Sequence, residues 1–189
     1  MLERRPLLLH PDCRCDAVES IEVTIERKKP RSIGLRFDIK GNLRHILFPW
    51  TTNSAKRMDE LWRTTCFEAF LQPEGMTDYL EYNFSPRAYW AAYRFDDYRQ
   101  GMDATRDARP PHVGALMGKG ENDAYLTAEL DLSRMAWLPT DQPWKLGLSA
   151  VIEERNGRKS YWALRHPAGQ PDFHHPDCFA LELAPARRA

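Results

Sequence analysis

Neither sign of charge is in excess in this chain: lysine plus arginine and aspartate plus glutamate each number 27 in 189 residues. With no net field to draw a polyanion, neither nucleic acid nor an anionic membrane is the expected partner. The densest basic run, Glu26-Arg-Lys-Lys-Pro-Arg31, reads as the solvated end of a hairpin, because charge runs usually mark turns. Long apolar runs are missing too. The triplet Leu7-Leu8-Leu9 is too short for a secretory signal and no small-residue cleavage site follows it. Nothing approaches the roughly 20 residues that a spanning helix needs, so a cytoplasmic location is expected. Cysteine is sparse. Of the four, Cys13 and Cys15 are one residue apart, a spacing that rarely suits a disulfide, while Cys66 and Cys178 sit in apolar alternation as small buried thiols. There is no CxxC pair for a structural zinc site. HExxH, the P-loop and GxSxG are also absent, which removes the commonest hydrolase and nucleotide-binding signatures.

Period-two alternation fills the chain instead. Ile21, Val23 and Ile25 alternate with Glu22, Thr24 and Glu26; Leu35, Phe37 and Ile39 follow, and Gly41-Asn42 turns the chain toward Pro49. Thr51 to Glu60 reads as a polar loop and Leu61 to Leu71 as a long strand. Tyr79 to Ser85 and Tyr89 to Phe95 are strands joined by Ser85-Pro-Arg-Ala88. Between Asp96 and Asp123 the chain is polar, with only Val113 to Met117 able to form an element, and a loop of that length more often carries binding than packing. Ala124 to Leu130 is another strand, Asp131 to Met135 one capped helical turn, Lys145 to Leu164 a hairpin about Asn156-Gly157, and Cys178 to Leu183 a closing strand. The pattern of about nine or ten short strands without helical periodicity predicts an all-β fold, an antiparallel two-sheet β-sandwich of immunoglobulin-like or jelly-roll type, as one domain over 1–189 with its core at about 15–184.

Candidate chemistry lies on these strands. Glu81, Asn83 and Ser85 alternate with Leu80, Tyr82 and Phe84, so one face of that strand is polar. Glu68, Glu81 and Asn83 must face water or find partners, because an unpaired buried charge is costly. Arg63, Arg94 and Arg165 are the natural partners. Six tryptophans are present. Trp62, Trp90 and Trp162 stand beside polar neighbours, where an indole face can stack on a sugar ring, a base or a cation, while Trp50, Trp137 and Trp144, near prolines, read as core filler. The expected ligand-binding set is Trp62, Glu68, Glu81, Asn83, Trp90, Arg94 and Trp162, with tryptophans stacking, carboxylates accepting hydroxyls, and Asn83 and Arg94 orienting the ligand. The segment from Leu164 to Cys178 gathers His166, His174, His175 and Asp177, side chains able to ligate zinc or iron. Adjacent His174 and His175 point to opposite sides, which favours a structural loop. A small enzyme with Glu68 or Glu81 as general base is a further alternative, although no catalytic residue is assigned.

The runs Glu60-Leu-Trp-Arg-Thr-Thr-Cys-Phe-Glu-Ala-Phe-Leu71, Tyr79-Leu-Glu-Tyr-Asn-Phe-Ser-Pro86, Trp90-Ala-Ala-Tyr-Arg-Phe95, Trp162-Ala-Leu-Arg-His-Pro167 and Pro171-Asp-Phe-His-His-Pro-Asp-Cys-Phe-Ala-Leu-Glu182 resemble the bacterial DOMON-like proteins related to family 9 carbohydrate-binding modules. The resemblance implies a β-sandwich that binds a small polar ligand, a carbohydrate or sugar-like metabolite, without catalysing its conversion. It places Trp62, Glu68, Glu81 and Asn83 in one pocket. It also implies, as alternatives, haem held by Met102 or Met117 with His112, and structural calcium in the acidic loops from Asp96 to Asp107.

Overall fold

The computed structural model describes residues 2–48 and 55–185. Trp50 and the polar stretch from Thr51 to Ser54 lie outside the described residues. Strand accounts for 51% of the chain, and no α-helix occurs among the described residues. The described residues form twelve strands: β1 (Leu2–Leu9), β2 (Val18–Lys29), β3 (Ser32–Gly41), β4 (Lys56–Arg57), β5 (Cys66–Pro73), β6 (Tyr79–Phe84), β7 (Tyr89–Phe95), β8 (His112–Met117), β9 (Asp123–Asp131), β10 (Trp144–Glu153), β11 (Lys159–Ala163) and β12 (Leu181–Leu183).

The alternation in β2 and β3 does what its period requires. Ile21 pairs with Ile39, Val23 with Phe37 and Ile25 with Leu35, so one face of the pair is a continuous apolar surface, and all six side chains are buried. Burying each contributes roughly 1.5–3 kcal/mol. That surface joins Leu126, Ala128 and Leu130 of β9 and meets Phe67, Leu80, Tyr82, Phe84, Leu146 and Leu148 across the main core. Trp144 is fully buried there, its indole N–H donating to the Pro139 carbonyl at 2.7 Å while the Arg27 guanidinium lies 4.0 Å from its ring centre.

The strands join in a single path, β4-β7-β6-β5-β10-β11-β1-β2-β3-β9-β8, with β12 also paired to β10. Strand β1, which the sequence pattern did not predict, is the seam: Leu2 to Leu7 pair with β2, and Leu8 and Leu9 pair with β11. The all-β expectation stands, but the antiparallel two-sheet refinement, immunoglobulin-like or jelly-roll, gives way to one continuous sheet curled into a half-barrel. The sheet is mixed because β4 runs parallel to β7, pairing Lys56 with Tyr89 and Arg57 with Trp90. The chain reaches this outer edge before laying down β5, β6 and β7, so it must cross back over two strands to begin β5.

That crossing also corrects the long strand expected from Leu61 to Leu71. Glu60 takes a left-handed φ of 59°, Leu61–Arg63 form a 3-10 turn closed by the Thr64 N–H on the Leu61 carbonyl, and only Cys66–Pro73 are strand. The helical turn expected at Asp131 to Met135 is instead a tight turn. Asp131 accepts the Ser133 N–H as a cap would, but the Met135 N–H bonds Leu132 and the chain then drops Leu132, Met135 and Leu138 into the core.

Candidate functional site

Strands β5, β6 and β7 are buried on both faces, and the face turned away from the main core carries the polar residues. Register determines which ones meet. Glu68 of β5 lies opposite Asn83 of β6 on one side and Ser149 of β10 on the other, Asn83 lies opposite Ala91 of β7, and Glu81 lies between Phe70 and Tyr93. Glu68 and Glu81 are therefore diagonal neighbours on one face, two residues apart in the cross-strand register. Glu68 is 3% exposed and Glu81 4%. Asn83 donates to Glu81 Oε1 at 2.6 Å and Ser149 to Glu68 Oε2 at 3.4 Å.

Both carboxyls resist ionisation. Burial holds Glu68 well above the usual glutamate range, and the neighbouring Glu81 adds to it. Burial raises Glu81 to about 7, against the pull of the Asn83 hydrogen bond and of Arg99. At neutral pH the pair retains protons, so it can donate as well as accept hydrogen bonds.

Three connections roof this floor. The crossover from β4 to β5 lays Trp62 over the sheet, edge-on to Tyr93 with ring centres 5.9 Å apart. The turn after β7 brings Arg99, held in the left-handed region at φ 53°, and its guanidinium donates to Asp172 at 2.7 Å. The third connection, from Pro171 to Phe179, contributes Phe173 and His174 and is pinned through Asp172, which accepts the Tyr98 hydroxyl and the His174 N–H. Gly147 lets this segment sit low: a Cβ there would stand 3.3 Å from both the Cys178 carbonyl oxygen and Phe70 Cβ. Between floor and roof is a cavity of about 360 Å³ lined by Trp62, Glu68, Glu81, Phe95, Arg99, Met102, Val151, Tyr161, Pro171, Phe173 and His174.

His174 is oriented by a chain of hydrogen bonds. The Tyr79 hydroxyl accepts the Arg99 N–H at 3.2 Å and lies 2.8 Å from His174 Nδ1. Burial holds the phenol up at about 12, so it is protonated and donates to Nδ1. The imidazole proton is then on Nε2, 3.8 Å from Glu81 Oε2. Burial, and secondarily Arg99, bring His174 down to about 4, so the ring is neutral. A neutral imidazole, a Glu68 carboxyl that holds its proton, a Glu81 that titrates near neutrality and one ion-paired guanidinium form a site of high hydrogen-bonding capacity beside aromatic rings.

The predicted ligand set divides by face. Trp62, Glu68 and Glu81 line the cavity, and Asn83 stands behind Glu81 as its hydrogen-bond donor. Trp90, Arg94 and Trp162 are turned to the opposite face, because Phe84 pairs with Trp90 and Leu80 with Arg94 on the core side of β6, and Trp162 pairs with the core residue Ala150 of β10. Trp90 and Trp162 are buried in the main core, and Arg94 donates to Asp78 at 2.7 Å and lies over Trp137. Sequence reasoning missed Phe95, Arg99, Tyr161 and Phe173. Only the long polar loop after β7 pointed toward Arg99.

The predicted metal set does not assemble. His174 lines the cavity, but His175 Nδ1 caps the Pro176–Cys178 turn by accepting the Asp177 N–H. His166 Nε2 donates to the Leu8 carbonyl, and its ring stands edge-on to His10 at 4.8 Å. Among the described residues no three His, Cys, Asp or Glu side chains group to hold an ion, the Asp96 to Asp107 loop included. Met102 is at the cavity, whereas His112 and Met117 lie at the two ends of β8, the last strand on the other half of the sheet path. Among the described residues no helix is long and apolar enough to cross a membrane.

No family model and no curated protein matches the sequence. Solved structures do. A "putative carbohydrate-binding protein" from Bacteroides uniformis aligns over 93% of this chain and 83% of its own, at 14% identity and a TM-score of 0.61. A family 9 carbohydrate-binding module from Caldicellulosiruptor kristjanssonii, in complex with cellotriose, aligns over 89% of this chain and 75% of its own, at 11% identity and a TM-score of 0.51. At such identities the likeness is one of fold.

Proposed function

We propose that this chain is a non-catalytic binding domain whose ligand is a small polyhydroxylated molecule of the carbohydrate class, held in the cavity between β5–β6 and the Trp62, Arg99 and Phe173 roof. The observation that carries this reading is the pairing of two proton-retaining carboxyls, Glu68 and Glu81, with aromatic rings around a single hollow. Sugar hydroxyls both donate and accept, and protonated carboxyls match them in both roles. The C–H faces of a sugar ring suit Trp62, Tyr161 and Phe173. A volume of about 360 Å³ lies at the small end of ligand sites, which fits one or two rings rather than a polymer strand. The fold shared with a carbohydrate-binding module supports the same class, and the DOMON-like kinship belongs to this proposal in its sugar-binding form.

The test is calorimetric titration with mono- and disaccharides of the purified protein and of Trp62→Ala. Loss of one stacking ring weakens binding about tenfold, equivalent to about 1.4 kcal/mol. Affinity unaltered by Trp62→Ala would move the ligand elsewhere on the molecule.

A further inference from the structure

The charge inventory around the cavity is lopsided. Facing it or packed against it are Glu68 and Cys66 from β5, Glu81 and Tyr79 from β6, Tyr93 from β7 with its acceptor Asp59 from the crossover, Tyr161 from β11, Arg99 from the turn after β7, and Asp172 and His174 from the third roof segment. Three of these carboxyls, Glu68, Glu81 and Asp172, share a single cation. Arg99 directs Nε and Nη2 at the same Asp172 oxygen, at 3.2 and 2.7 Å, so most of its charge is already compensated. His174 is neutral. The two floor carboxyls are thus left without a counter-ion, and each has one oxygen without a hydrogen bond inside the protein: Ser149 takes Glu68 Oε2 and Asn83 takes Glu81 Oε1. Two acids more than nine-tenths buried, each with one oxygen outside the protein's hydrogen bonds on one hollow, keep their protons for want of a counter-ion that a bound cation would supply. Trp62, Phe95, Tyr161 and Phe173 also line the hollow, and an aromatic face attracts a desolvated cation.

We infer that the ligand carries a protonated amine among its hydroxyls, an amino sugar or amino-polyol, with the ammonium group seated between Glu68 and Glu81 beneath Trp62, Tyr161 and Phe173. This rests on the cavity being the carbohydrate site proposed above, and names the ligand more narrowly. A neutral sugar satisfies hydrogen bonds but leaves the pair dependent on bound protons, whereas an ammonium supplies both donors and charge. Its arrival favours the ionised carboxylates, so binding is coupled to proton release.

Calorimetry at pH 7.5 with glucosamine, galactosamine and mannosamine against glucose, galactose and mannose, repeated in buffers of different ionisation enthalpy, tests this. At least one amino sugar binds tenfold or more tightly than its parent and releases on the order of one proton. In Glu68→Gln and Glu81→Gln, each checked for folding by thermal denaturation, that preference falls to about twofold or less. Parent sugars binding as well as amino sugars, or amino sugars binding without proton release, would overturn the inference and leave the carbohydrate reading standing. Binding of neither set overturns both.

Discussion

The two faces of β5, β6 and β7 are both covered, by unlike means. Toward the main core, Phe67, Leu80, Tyr82 and Phe84 meet the apolar side of β2, β3 and β9. On the other face the same strands present Glu68, Glu81 and Asn83 under a cover assembled from one crossover and two loops. Strands covered on both sides usually read as unbroken apolar runs. Here the alternation survives because the second cover is hollow. The first face stabilises the protein. The second lowers its stability by holding acids out of water, a cost that a binding site explains and a scaffold does not.

The largest effect belongs to the first face. Phe84→Ala removes a ring with no solvent exposure and costs about 3–5 kcal/mol, measured by urea denaturation. A loss under about 1 kcal/mol would mean that the core relaxes around the gap and that the two faces differ less than drawn.

The second face is exposed by pH. Glu81 titrates near 7 when folded against 4.5 ordinarily, so in that interval the folded chain binds more protons than the unfolded one. Its stabilising contribution is present below about pH 4.5 and lost as pH rises through 7, on the order of 3 kcal/mol in all. Glu68 acts in the same direction. Denaturation midpoints of the wild type should fall between pH 5 and pH 8, and Glu81→Gln should flatten the slope. A slope that survives the substitution would place its source outside this pair.

The smallest effect comes from Arg94, on the core-side register yet half exposed at its tip. Its ion pair with Asp78 is worth less than about 1 kcal/mol. Arg94→Ala should change stability by no more than that and leave ligand affinity unaltered. A binding defect in the folded variant would show that the two faces communicate.

How far these faces could be read beforehand depends on neighbours. Glu81 and Asn83 were legible as one face because Leu80, Tyr82 and Phe84 leave no other choice. Strand β7 was not: Trp90, Ala92 and Arg94 alternate with Tyr89, Ala91, Tyr93 and Phe95, aromatic on both sides, and only the Asn83 to Ala91 register resolves them. Trp62 was read as part of a strand and reaches the cavity from a crossover that no local pattern encodes. Arg99 and Phe173 arrive on loops, and their meeting depends on Asp172, 73 positions from Arg99.

Strand β1 has a bearing on how the chain is made. It hydrogen-bonds at one end to β2, its close successor, and at the other to Trp162 and Ala163, more than 150 positions later. The β1–β2–β3, β5–β6–β7 and β10–β11 hairpins can zip locally, but the β3–β9, β5–β10 and β1–β11 pairings each join strands far apart in the chain. Closing that seam therefore hangs on one strand that must satisfy a partner at each of its ends.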